Sequence, residues 1–165
     1  MKDYPSLDPE QFTIAIAGFP NVGKSTLLSK ITTASPEIKN YAFTTKGLNV
    51  GVFEYKFSRI QCVDTPGTLA RIKENPVERL AILTRQYLAR VVIYVYDATE
   101  PYPMKDQERL HKIVKDEGHE MVCYLSKTDI LPKDVVSKFK ETHPEVLTSP
   151  ADVKKFIKEQ FDAWM

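Results

Sequence analysis

Residues 13–25 read Thr-Ile-Ala-Ile-Ala-Gly-Phe-Pro-Asn-Val-Gly-Lys-Ser: an apolar run that stops at Gly18, a short turn, and the start of a new periodic segment. The run Thr13 to Ala17 predicts a buried strand. From Lys24 to Ala34 the apolar residues Leu27, Leu28 and Ile31 return at helical spacing, so the junction is strand, glycine turn, helix. The turn, Gly18 to Ser25, has the spacing GxxxxGK[ST]. Gly18 and Gly23 let the backbone turn tightly so that successive N–H groups face inward, and the helix adds its positive end, making a cradle for phosphate. Lys24 then places a charge on the β and γ phosphates, and Ser25 offers a hydroxyl to Mg²⁺. Pro20, Asn21, Val22, Gly23 and Thr26 complete the expected nucleotide wall. A chance match is expected in on the order of 1% of chains this long, and an ordinary glycine turn would not need to fall between a strand and a helix.

Outward from this junction the chain alternates. Residues 35–46 show no clear periodicity, and Leu48–Tyr55 with Phe57–Val63 read as two strands joined by a turn too short for a crossover, hence an antiparallel hairpin. Pro76 opens a predicted helix carrying Leu80, Leu83, Tyr87 and Leu88, and the strand Val91–Tyr96 follows. Leu110, Ile113 and Val114 mark another helix, Met121–Leu125 a strand, Val135, Val136 and Phe139 a short helix, and Glu145–Leu147 a last strand. Ser149-Pro150-Ala151-Asp152 supplies an N-cap, a first-turn proline and a first-turn acid for a final helix. Its stripe of Val153, Phe156, Ile157, Phe161 and Trp164 is expected to pack in the core. This order implies a mostly parallel sheet with helices on both faces and one antiparallel edge.

Composition bounds the function. At 165 residues, 42% hydrophobic, the chain suits one domain and leaves no room for a second. Lys plus Arg number 23 against 22 Asp plus Glu, so bulk charge does not drive binding to nucleic acid or anionic membrane. Cys62 and Cys123 lie in apolar strand-like runs at a spacing that fits neither zinc nor a disulfide framework, and are read as buried reduced thiols. The start lacks an apolar signal core and the longest apolar run, Val91–Tyr96, is too short to span a bilayer; a soluble intracellular protein is expected. His111, His119 and His143 show no pairing with Cys, Asp or Glu that suggests a metal cage.

Two further signals lie at predicted strand ends. Asp64-Thr65-Pro66-Gly67 offers a carboxylate that can hold Mg²⁺ through water, and a glycine whose N–H can approach a γ-phosphate. Ser126-Lys127-Thr128-Asp129 follows the fifth strand, where ligands of such sheets gather. Asp129 can accept two hydrogen bonds from guanine N1 and N2, which adenine cannot supply. Three matches in order point to a guanine nucleotide.

The stretches GFPNVGKSTL (18–27), YAFTTKGLNVG (41–51), VDTPGTL (63–69) and IYVYDATE (93–100) resemble the translation-factor-like GTPases of the Obg type, and within them the nucleolar GTP-binding branch. The likeness runs from about Phe12 to Ser149. It implies a three-layer P-loop NTPase fold of the small-GTPase kind, with a six-stranded sheet, residues 1–11 as an extended lead-in and 12–165 as the GTP-binding domain. It also implies slow hydrolysis of GTP to GDP by in-line attack of water, with catalysis by Lys24, Asn21, Thr45 and Gly67. Mg²⁺ would lie on Ser25, Thr45 and Asp64, Thr44 being the next choice to Thr45, and guanine on Ser126, Lys127, Asp129 and Ser149. A role in large ribosomal subunit assembly is implied, as a monomer with RNA or protein partners and no membrane, in the cytoplasm or, for a eukaryote, the nucleolus. Relatives carry a helical segment before the domain and extra sequence after it; this chain is expected to be an excised domain or a shortened protein. Several departures stand out. Thr68, followed by Leu69, replaces the water-orienting glutamine, Asn21 resembles an asparagine that helps hold K⁺ against the phosphates, and Arg71 is a weaker candidate for transition-state charge. Ser126 replaces asparagine or threonine with fewer tethers. Pro150 has no N–H for guanine O6, so either the N–H of Ser149 serves there or O6 goes without that donor. The alternative from another class is a nucleotide-binding interaction module with little or no hydrolysis.

Overall fold

The computed structural model describes residues 11–32, 37–40, 47–65, 85, 89–99 and 102–165. Six strands, β1 (Thr13–Ala17), β2 (Glu37–Asn40), β3 (Gly47–Tyr55), β4 (Ser58–Asp64), β5 (Val91–Tyr96) and β6 (Glu120–Leu125), form one sheet in the order β2-β3-β4-β1-β5-β6. β4, β1, β5 and β6 pair in parallel, whereas β3 is antiparallel to both β4 and β2. Every residue of β1 and β5 is buried, and apart from Thr13 these central strands run apolar without alternation. The β3–β4 hairpin closes at Lys56 and Phe57, both left-handed with φ of 49° and 63°, a hand that matches the twist of the flanking strands.

The sheet differs from the sequence expectation at both margins. β2 arises in the stretch without periodicity because an edge strand needs only a backbone ladder on one side, here Glu37–Asn40 against Gly47–Val50. The antiparallel strand β3 therefore lies one in from the margin and is not the edge. At the far side Glu145–Leu147 shortens to a single parallel bridge, Leu147 to Tyr124, with Leu125 N–H donating to Leu147 O and Leu147 N–H to Cys123 O, each at 2.9 Å.

The described helices are α1 (Lys24–Ile31), α2 (Met104–Asp116), α3 (Lys133–Thr142) and α4 (Pro150–Trp164). α1 stops three residues before Ala34: Thr32 turns extended and its hydroxyl donates to Leu28 O at 2.7 Å. Consecutive β-branched residues from Ile31 give little propensity to continue. α1 buries Leu27, Leu28 and Ile31, each contributing about 1.5–3 kcal/mol. α4 starts at Ser149 as expected and buries Val153, Ile157 and Phe161. Phe161 meets the Phe12 ring edge-on at 5.5 Å, and Trp164 closes that cluster with the Arg90 guanidinium 5.0 Å over its ring. No helix among the described residues is long and apolar enough to cross a membrane.

Cys62 and Cys123 are free, and burial pushes both thiols up to about 12. Among the described residues each histidine has a single Cys or Glu neighbour and not a cage: His111 Nε2 is 3.2 Å from Cys123 Sγ, His119 Nε2 is 3.2 Å from Glu117, and His143 pairs with Glu108. The first and third pairs form across elements, which spacing along one element cannot reveal, whereas His119 and Glu117 are neighbours in the turn before β6. The lead-in to residue 10 and the helix expected from Pro76 through Leu80, Leu83, Tyr87 and Leu88 lie outside the described residues, save Arg85. That residue is helical and buried, its guanidinium held by Glu117 through two hydrogen bonds of 2.9 Å.

Candidate nucleotide site

β1 ends at Ala17 and the chain turns at Gly18, φ 152°. A Cβ there would stand 2.9 Å from the carbonyl oxygen of Val95, so the turn passes β5 at a distance only glycine allows. Asn21 (φ 62°) and Gly23 (φ 107°) take left-handed conformations that reverse the chain into α1. A Cβ on Gly23 would press on Ser126 at 3.2 Å. α1 begins without a side-chain cap or a first-turn acid, whereas α4 has both: Ser149 Oγ accepts from Asp152 N–H at 3.2 Å and Asp152 lies in its first turn. The opening N–H groups of α1 and its positive end are thereby left for an external anion.

Lys24 is buried at the base of this turn, and its ammonium donates to Phe19 O at 2.7 Å. Burial pushes its pKa down, with Asp64 opposing. Asp64 ends β4 in register with Ile16, so the neighbouring strand delivers a carboxylate beside the lysine. Burial pushes that carboxyl up to about 6, with Lys24 pulling it down. Thr65 anchors the chain as it leaves β4, its N–H and hydroxyl donating to Ile16 O at 3.1 and 2.6 Å. Ser25, exposed at the start of α1, and Asp64 are oxygen donors suited to Mg²⁺, which takes one or two protein ligands and completes its shell with water and phosphate. Among the described residues no group of three or more His, Cys, Asp or Glu gathers to hold a metal alone. Thr44, Thr45, Gly67, Thr68, Leu69 and Arg71 lie outside the described residues.

Beside the turn is a cavity of about 320 Å³, walled on one side by Gly23, Thr26 and Lys30 and on the other by Ser126, Lys127 and Asp129. Ser126 is buried and its hydroxyl, with one proton, is shared between Val22 O at 2.6 Å and Tyr96 O at 3.0 Å. Short as it is, this side chain keeps one tether to the phosphate turn. Lys127 (φ 59°) donates to Asp97 Oδ2 at 2.6 Å and reaches Asn21 O at 3.3 Å. Asp97, the residue after β5, is fully buried; its other oxygen accepts from Thr99, and its backbone pairs with the Gln107 amide at 2.9 and 2.8 Å. Thr128 Oγ1 donates to Thr148 O at 3.3 Å, joining the Ser126–Asp129 loop to the one before α4. Ser149 and Pro150 do not line the cavity, and the Ser149 hydroxyl is engaged as the cap of α4.

Two residues escaped the sequence reading. Asp97 was visible only as the acid ending the apolar run of IYVYDATE, and its partner is thirty residues on. Lys30 stands one helical turn beyond Thr26, which puts both on the same face of α1.

These groups gather at the carboxyl ends of the parallel strands, where such sheets receive ligands. The turn that buries Lys24 ahead of an uncapped helix defines the class: a P-loop nucleotide-binding domain. Residues 13–127 match the model of the 50S ribosome-binding GTPases, and the chain belongs to that family. It is 38% identical over 153 residues to nucleolar GTP-binding protein 1 of Eremothecium gossypii, covering 88% of this chain but 24% of that protein. A Plasmodium falciparum protein assigned as nucleolar GTP-binding protein 1 superposes with a TM-score of 0.63 at 27% identity, over 88% of this chain and 78% of the other. The cytosolic domain of the T. maritima FeoB iron transporter gives 0.72 at 23% identity, over 91% and 63%, a likeness of fold.

Proposed function

We propose that this chain binds Mg²⁺·GTP and hydrolyses it slowly to GDP and phosphate as a switch serving assembly of the large ribosomal subunit. The observation that carries the reading is the meeting of a buried Lys24, the Asp64 carboxylate and the Asp129-lined cavity along one edge of the sheet. In this reading Pro20 to Thr26 wrap the phosphates. Ser25 and Asp64, with Thr45, hold Mg²⁺, which when bound would neutralise charge on the β and γ phosphates. Lys24 stabilises charge on the transferring phosphoryl group, and Gly67 senses it through its N–H. Lys127 and Asp129 frame guanine, with Ser126 tying that loop to the phosphate turn. Asn21, exposed at the crest of the turn, is proposed to help hold K⁺ in place of an arginine finger.

The ribosomal role rests on the family and on the name of the fungal relative, of which this chain spans about a quarter. A monomer in the cytoplasm, or in the nucleolus of a eukaryote, goes with that role. Multiple-turnover phosphate release from Mg²⁺·GTP that is faster in KCl than in NaCl and is lost in Lys24→Ala is the expected result. Binding without turnover would leave the interaction module in place of the hydrolase, a reading for which Pro150, lacking an N–H, is the specific support. Equal rates in the two salts would remove K⁺.

A further inference from the structure

The base cavity contains two ammonium groups with different obligations. Lys127 is committed, 2.6 Å from the buried Asp97 carboxylate and 3.3 Å from Asn21 O. Lys30, in the last turn of α1, lines the same cavity, and its ammonium makes no hydrogen bond or ion pair with any described residue. A guanine whose N1 and N2 lie on Asp129 turns the acceptors O6 and N7 to its other edge. The loop before α4 offers little there, since Pro150 has no N–H and neither it nor Ser149 lines the cavity.

We propose that Lys30 is a specificity-determining residue whose ammonium donates to the O6/N7 edge of the guanine that Asp129 reads from the opposite edge. The proposal rests on the guanine-nucleotide reading above. An ammonium has three donors and no acceptor, and its flexible four-carbon stem lets it settle over two adjacent acceptors. Adenine carries a donor amino group at position 6, so Lys30 would reject it where Asp129 also does. Guanine is thus read from two sides by groups on different elements, α1 and the loop after β6.

The test compares the 165-residue chain with Lys30→Met, which keeps the stem and removes the charge. Each is titrated by calorimetry with the Mg²⁺ complexes of GDP, 7-deaza-GDP and 6-thio-GDP, and thermal unfolding verifies that the variant folds. Lys30 is exposed on its helix, so the variant is expected to fold normally. The expected result is about tenfold weaker GDP binding in Lys30→Met, together with a loss of the parent's preference for GDP over the two analogues. A uniform loss across all three ligands, which general attraction of phosphate would produce, overturns the proposal, as does unchanged GDP affinity. Failure of the parent to bind GDP overturns the guanine-nucleotide reading itself, a result distinguishable from the other two.

Discussion

Replacing Asp97 by asparagine removes a carboxylate that is fully buried and that accepts from Lys127 Nζ at 2.6 Å and from Thr99 N–H at 2.8 Å. The amide keeps an oxygen for Thr99 but turns its NH₂ toward an ammonium. Breaking a fully buried ion pair by deleting one partner costs about 3–5 kcal/mol. The Lys127 side chain is 34% exposed, so water takes up the freed ammonium and reduces the cost to about 2–3 kcal/mol. In a domain of this length each kcal/mol shifts Tm by about 2–4 °C, so Asp97→Asn should melt about 4–12 °C lower. Calorimetric melts of Asp97→Asn, Lys127→Met and the double variant should show a coupling of about 1–2 kcal/mol, because the second loss is smaller once the first partner is gone. GDP affinity should fall with Asp97→Asn as well, since Lys127 then leaves the cavity wall. A melt within about 1 °C of the parent, or single losses that simply add, would refute the assignment of Asp97 as the anchor of Lys127.

Two other outcomes are expected. Asp64 is raised to about 6, so the folded protein retains a proton the unfolded chain would release; this group favours folding most at acid pH and its contribution is lost as pH rises through about 6. Mg²⁺ needs the ionised form, so Mg²⁺-dependent GDP affinity should drop below about pH 6 and the drop should vanish in Asp64→Asn, as titrations across that range would show. Gly18→Ala puts a methyl 2.9 Å from Val95 O in a conformation alien to alanine, and should lose about 1–3 kcal/mol in chemical denaturation; a parent-like midpoint would contradict the close approach.

How much the sequence disclosed follows the range over which each feature is encoded. The phosphate turn is local: eight consecutive residues carry its glycines, lysine and helix start, and the structure reproduces the turn and the helix that follows. The hairpin was equally legible because Lys56 and Phe57 leave no room for any other connection. β2 was not, since an edge strand takes its order from the backbone of β3 and needs no apolar alternation. Glu145–Leu147 looked like a strand but has a neighbour on one side only, and the helix start at Ser149 claims the chain after a single bridge. Asp97 and Lys30 gain meaning only when β5, β6 and α1 are brought together, which periodicity along one segment cannot express.

The hairpin tip offers an experimental handle. Phe57 projects fully into solvent, and six residues of β4 separate it from Asp64, about 20 Å of extended chain. Tyr55 and Lys56 fasten the tip to Asp162 of α4 at 2.8 and 2.9 Å, so a group attached there rides on the body of the domain and does not swing freely. With the thiols of Cys62 and Cys123 held near 12, a cysteine introduced at position 57 would be the reactive one at neutral pH. A fluorophore there would follow tumbling and assembly of the domain while leaving both ends of the nucleotide untouched.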